Sequence, residues 1–236
     1  MVSTTQTHVT DTVHGHFEPR FSGIPDLMKQ FISTGEEIGA SFAIDIAGDT
    51  VVDIWGGFRD RSLSTPWERG TIVNVFSCTK TVTSLAALIL IDRGIISPYD
   101  KVAAYWPEFA QNGKEEIEIR HIISHTSGVP GWEAHVTLAD VYDLDEATSK
   151  LAEQAPWWTP GTASGYHSLT HGHLIGEVVR RMTGRSLQQF VADEIATPLG
   201  AEFSIGVDPS RIHQVSDVFL GFPDTAPTPR RDSTSA

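Results

Sequence analysis

Cysteine is almost missing from this chain: Cys78 is the single one in 236 residues. One thiol excludes an internal disulfide and any zinc site built on cysteine. Basic residues are also scarce, with 17 Lys and Arg against 30 Asp and Glu, a formal net charge of -13 and a pI near 5.1. A surface of that sign repels nucleic acid and anionic membranes, so neither is expected as a partner, and solubility is its simplest consequence. No apolar run is long enough to span a bilayer, since the strongest covers only Leu85 to Ile91. Met1 to His16 is polar and carries no run of signal-peptide length, which makes a cytoplasmic location the default expectation. There are no internal repeats.

What is present is enough apolar material, 40% of residues, to fill the core of one large domain or two small ones. The stretch that organises the rest is Ser77-Cys78-Thr79-Lys80, followed by Thr81 to Ile91, which is apolar on nearly every side beyond its first turn. This reads as a buried helix, entered from the β-rich run Thr71 to Phe76 and ended at Gly94. Ser77 then lies at the positive end of a helix dipole with Lys80 one turn on, on the same face. A lysine kept largely out of water has its pKa pushed down and can take or relay a proton, which is what a serine nucleophile needs. Ser-x-x-Lys alone is a weak signal: 20 Ser and 5 Lys give about 0.4 chance matches in a chain of this length. It is the one match here.

Taken in order, a helix is expected from Pro25 to Gly35, with Leu27, Met28, Phe31 and Ile32 inward. Ser41 to Ile46 and Val51 to Trp55 read as a hairpin joined through Gly48-Asp49. After Gly94, helices separated by Pro and Gly take over: a short one ending before Pro107, another over Ile119 to Ser124, and one opened by the capping pattern Asp143 to Glu146 and running to about Gln154. Pro156 to Gly161 is an extended aromatic loop. It delivers Gly165-Tyr166-His167-Ser168 to a second long helix, whose buried face is Leu174, Ile175, Val178, Val179 and Met182 and whose end is near Gly184. Leu187 to Ile195 is a further helix ended before Pro198, and Phe203 to Val207 adds a short strand.

Phe76-Ser77-Cys78-Thr79-Lys80, Ser124-His125-Thr126-Ser127-Gly128, Trp158-Thr159-Pro160-Gly161-Thr162, Gly165-Tyr166-His167-Ser168 and Pro198-Leu199-Gly200 follow one another in an order and spacing that resembles the serine β-lactamase-like superfamily. The superfamily shares the fold of class C β-lactamases and penicillin-binding proteins, and the chain is most similar in style to family VIII carboxylesterases. The resemblance covers roughly Phe21 to Val207. It implies an α/β (α+β) fold, an antiparallel sheet flanked by helices with an inserted all-helical lobe at about 98–195. The chain divides accordingly into an arm over 1–18, one domain over 19–221 and a disordered tail over 222–236. The resemblance also implies Ser77 as the nucleophile of an acyl-enzyme, Lys80 and Tyr166 as joint proton-handling partners, and the Ser77 backbone N–H as an oxyanion donor. No cofactor is needed for such a mechanism.

Two departures matter. Where many relatives have Tyr-x-Asn this chain has Tyr166-His167-Ser168, so a hydroxyl at Ser168 replaces the amide that helps hold a β-lactam, which favours small carboxylic esters as substrates. Relatives also continue into further strands bearing a third motif of the Lys-Thr-Gly, His-x-Gly or Trp-Gly-Gly kind. None lies beyond Val207, and Trp55-Gly56-Gly57 precedes the serine, so the C-terminal sheet strands are expected to be missing and the chain to be a truncated family member. The competing readings are β-lactamase or D-amino-acid peptidase activity, or a non-catalytic remnant acting as a binding module. Trp132 and Trp158 line an acyl pocket or pack beneath a loop. His125 is read as holding a loop, Cys78 as a small buried filler, and His167, His171 and His173, like His14 and His16, lack the carboxylates of a metal site. Gly-x-Ser-x-Gly, the nucleophile turn of α/β-hydrolases, does not occur.

Overall fold

The computed structural model describes residues 13–219, in two compact units, one of 13–74 with 208–219 and the other Val75–Val207. Residues 1–12 of the expected arm, the end of the expected domain at 220–221 and the 222–236 tail lie outside the described residues. Among those described, no helix is long and apolar enough to cross a membrane.

In the first unit, β1 (Val13–Phe17) precedes α1 (Gly23–Thr34), β2 (Gly39–Ile46) and β3 (Asp49–Gly57). The sheet is antiparallel throughout, with strand order β1-β3-β2. The hairpin loop is Ala47-Gly48, one residue earlier than expected, with φ of 55° and 91°. That pair of positive angles is the turn whose twist matches the flanking strands, and the Gly48 N–H donates to Asp45 Oδ1 at 2.9 Å to close it. Val13 to Phe17, expected in an arm, instead supplies the strand that satisfies the outer edge of β3, from Val13 opposite Gly56 to Phe17 opposite Val52. Helix α1 lays Met28 and Ile32 on Val51, Val52 and Ile54. Leu27, one position round the helix from that i,i+4 pair, is exposed rather than inward. The run Thr71 to Phe76 forms no strand. Its one sheet-like contact is a bridge between Ile72 and Val215, where β-rich composition meets only a short partner segment.

The second unit is helical. It contains α2 (Thr79–Asp92), α3 (Val102–Tyr105), α4 (Ile119–Ile123), α5 (Leu138–Tyr142), α6 (Leu144–Glu153), α7 (Thr170–Thr183), α8 (Leu187–Val191) and α9 (Thr197–Leu199). The expected 98–195 lobe falls within it, together with the serine helix. Leu90, Trp106, Phe109, Ile122, Leu151, Leu174 and Phe190 share one core, and α2 packs on both α7 and α8. Helix α5, opened by Thr137 and Asp140 capping each other's backbone N–H, was not anticipated. The chain also stays helical through Pro198: a π turn over Ala192–Ala196 links α8 directly to α9, which carries Pro198 and stops at Gly200. Phe203 to Val207 is irregular rather than a strand.

Helix α2 is buried on one face only. Ala86, Ala87 and Leu90 are buried, whereas Leu85 and Leu88 are 40% and 50% exposed. Leu90→Ala should therefore cost about 2–5 kcal/mol, a cavity penalty, and Leu88→Ala no more than about 0.5 kcal/mol. Urea denaturation midpoints of the two variants measure the difference, and equal losses would contradict the one-sided packing.

Candidate active site

Ser77 occupies a single 3-10 turn, Phe76–Cys78, that runs straight into α2. The turn is pinned by the Cys78 N–H donating to the Val75 carbonyl at 3.0 Å. Phe76, the residue before the serine, has φ of 45°, a left-handed backbone that a side chain of its size rarely adopts. Ser77 is thus lifted onto the exposed lip of the helix instead of being buried in its first turn. Cys78 is exposed beside it and is not the buried filler its small size suggested.

Lys80 follows one turn later on the same face, half-buried. Its ammonium donates to Ser77 Oγ at 3.3 Å and to the backbone carbonyl of Ser168 at 2.7 Å. It also lies 5.0 Å from the centre of the Tyr166 ring. The Tyr166 phenol is hydrogen-bonded to Ser77, and this bond, followed by the hydrogen bond and charge of Lys80, lowers its pKa from the ordinary 10.0. The three side chains chosen from the sequence are therefore brought together within one unit. Ser168 joins them through its carbonyl, which receives the lysine.

The tyrosine segment rests on a packed floor. Trp158 lies so close to Gly165 that any Cβ there would meet its ring at 2.4 Å, so only glycine lets Tyr166 sit where it does. The Trp158 indole N–H donates to the Thr126 carbonyl at 3.4 Å. Trp132 donates to the Ala147 carbonyl at 2.9 Å and meets the edge of His173, bracing α6 against α7. These contacts hold both tryptophans in place beneath and beside the loop. Behind Tyr166 is a group whose arrangement was not read from the sequence: His125, His167 and His171, with ring centres 4.9 to 5.2 Å from one another along the contacts of His125. Burial and, secondarily, neighbouring positive charge push the His171 imidazole down to about 4. His167 donates from Nδ1 to the Gly165 carbonyl at 2.7 Å and accepts the Ser127 hydroxyl at Nε2, also at 2.7 Å. The residue spacing His125 to Ser127 and His167 to His171 was visible; that the two stretches converge was not.

A Beta-lactamase family model matches residues 24–235. The esterase/beta-lactamase LipL of Mycobacterium tuberculosis is 33% identical over 190 residues, which make up 80% of this chain and 44% of that protein. Among solved structures, a family VIII carboxylesterase aligns with a TM-score of 0.84 at 40% identity, over 88% of this chain and 57% of the other. A penicillin-binding protein homolog from Caulobacter crescentus aligns with a TM-score of 0.84 at 37% identity, over 92% and 58%. The chain spans about half the length of the curated relatives it matches.

The Tyr166 environment has a direct spectroscopic consequence. In an ultraviolet titration of tyrosinate, subtracting Tyr166→Phe from the parent should isolate one phenol that ionises below the ordinary 10.0. Lys80→Ala should move that phenol back upward, because the lysine's charge favours the ionised form. An unmoved titration in Lys80→Ala would separate the two residues.

Proposed function

The chain belongs to the Beta-lactamase family, and on that premise we propose that it is a serine hydrolase that cleaves small carboxylic esters through an acyl-enzyme. The observation that carries this reading is the hydrogen-bonded group of Ser77, Lys80 and Tyr166, with the lysine ammonium 3.3 Å from Ser77 Oγ. Ser77 Oγ attacks the ester carbonyl as its proton passes to the Tyr166–Lys80 pair, and the alkoxide of the substrate leaves with that proton as an alcohol. Water then attacks the acyl-serine, gives up its proton to the same pair, and releases the carboxylic acid with Ser77 restored. A tyrosine with a lowered pKa is suited to both transfers, since it gains and loses its proton nearer neutrality. The Ser77 backbone N–H is assigned as an oxyanion donor, and Ser168, Trp132 and Trp158 to the substrate side of the site.

Esters are favoured over β-lactams or D-amino-acid peptides for two reasons. A hydroxyl stands at Ser168 where an amide holds a β-lactam in the family pattern, and the relatives LipL and EstB of Burkholderia gladioli carry the name esterase. The second reading is a binding module without turnover.

Hydrolysis of a short-chain p-nitrophenyl ester by the purified chain distinguishes them. Turnover should vanish in Ser77→Ala. In Tyr166→Phe kcat should fall by about 10²–10⁴, the usual worth of a positioned acid–base group. Rates that are equal in parent and Ser77→Ala would support the binding module instead.

A further inference from the structure

His125 holds Tyr166 and its chain neighbours through several contacts. Its ring centre is 4.9 Å from that of Tyr166. Its carbonyl accepts the Gly165 N–H at 3.1 Å and the Ser164 hydroxyl at 3.5 Å, and its Nδ1 accepts the backbone N–H of His167 at 3.1 Å. Both residues that flank the tyrosine in the chain, Gly165 and His167, are therefore fastened to this one histidine. To do so His125 takes a left-handed backbone, φ 63°, which His tolerates better than most residues.

The arrangement works with one protonation state. An Nδ1 that accepts a backbone N–H must carry a lone pair, so the ring is neutral with its proton on Nε2. A proton added at Nδ1 would set two N–H groups against each other and break the bond to His167. The groups facing the ring are Lys80 on α2, Tyr166 and His167 on the loop, and His171 on α7. Of these Lys80 carries a positive charge that opposes a second one on His125, and His171 offers no help, its buried Nδ1 having no hydrogen-bond partner among the described residues.

We propose that His125 is the positioning residue of Tyr166: as a neutral ring it fixes the phenol beside Ser77 and Lys80, and its protonation releases the 164–167 segment. The proposal rests on reading Ser77, Lys80 and Tyr166 as the reacting group, and its sign follows from linkage. Burial first, and then the Lys80 charge, hold the His125 pKa below the ordinary 6.5. The anchored arrangement is therefore at full strength above 6.5 and is lost as pH falls through the lower folded value.

The test reads the tyrosine itself. In protein labelled with ring-13C tyrosine, and with Tyr166→Phe to assign the signal, the Tyr166 resonance should show an inflection below pH 6.5. That inflection should be absent in His125→Asn, which tolerates the left-handed backbone and offers a side-chain oxygen to the His167 N–H without titrating. On the p-nitrophenyl ester, His125→Ala should lower kcat/KM by about 10- to 100-fold, the cost of a misplaced group, and His125→Asn should recover most of that loss. A parent signal with no inflection in this range, or one that persists in His125→Asn, overturns the proposal. If the parent shows no ester turnover, the tyrosine titration still decides: an inflection that requires His125 keeps the positioning role and removes only the hydrolase reading.

Discussion

One hydrogen bond fixes the site: the Lys80 ammonium on the carbonyl of Ser168, at 2.7 Å and across 88 residues of sequence. Helix α2 brings Ser77 and Lys80 together by spacing alone, because i and i+3 share a face. Nothing in that spacing selects where Tyr166 should lie. The carbonyl two residues after the tyrosine does, by holding one of the lysine's N–H groups and turning another toward Ser77 Oγ. A charged donor makes this a strong bond of its kind, and it also orients the charge that favours tyrosinate. Positioning and electrostatics are the same contact.

The segment that receives the lysine has no regular secondary structure of its own and borrows its order from three neighbours. Trp158 lies against the bare backbone of Gly165, His125 grips Gly165 and His167, and Thr170, buried at the start of α7, donates its hydroxyl to the Val129 carbonyl at 2.9 Å. His125 directly follows α4, Trp158 precedes α7 and Thr170 opens α7, so the core to which α2, α4 and α7 contribute is what holds them in register. The His125-Thr126-Ser127-Gly128 stretch and the Trp158 to Ser168 stretch are thus two halves of one support.

Much of this was legible in the residues. The Ser77–Lys80 pair, both long helices α2 and α7, the hairpin and the stop at Gly184 follow from periodicity and capping. What could not be read depends on partners far away in sequence. Val13 to Phe17 looks like a polar arm until the free edge of β3 is seen beside it. Thr71 to Phe76 has strand composition but lacks a sheet to join, and the apolar run of α2 exceeds the one face that its unit buries, leaving Leu85 and Leu88 outside. The spacing of His167, His171 and His173 speaks only against a metal site, and the packing of His167 and His171 on the loop residue His125 depends on two stretches distant in sequence meeting.

Backbone strain shows where the fold spends stability on geometry. Of the non-glycine residues with positive φ, Phe76 at 45° and His125 at 63° adjoin the reacting group, one immediately before Ser77 and the other against Tyr166. Such conformations cost of the order of 1–3 kcal/mol each and persist only where the surroundings overdetermine them. At Phe76 the constraint is the Cys78–Val75 turn bond leading into a helix anchored by Ala86, Ala87 and Leu90. At His125 it is the pair of bonds to Gly165 and His167. Relaxing either residue to an ordinary backbone would swing Ser77 or Tyr166 away from Lys80, so the two strained positions and the lysine form a single mechanical unit: the lysine needs both residues held, and the packed core beneath α2 and α7 provides the rigidity that holds them.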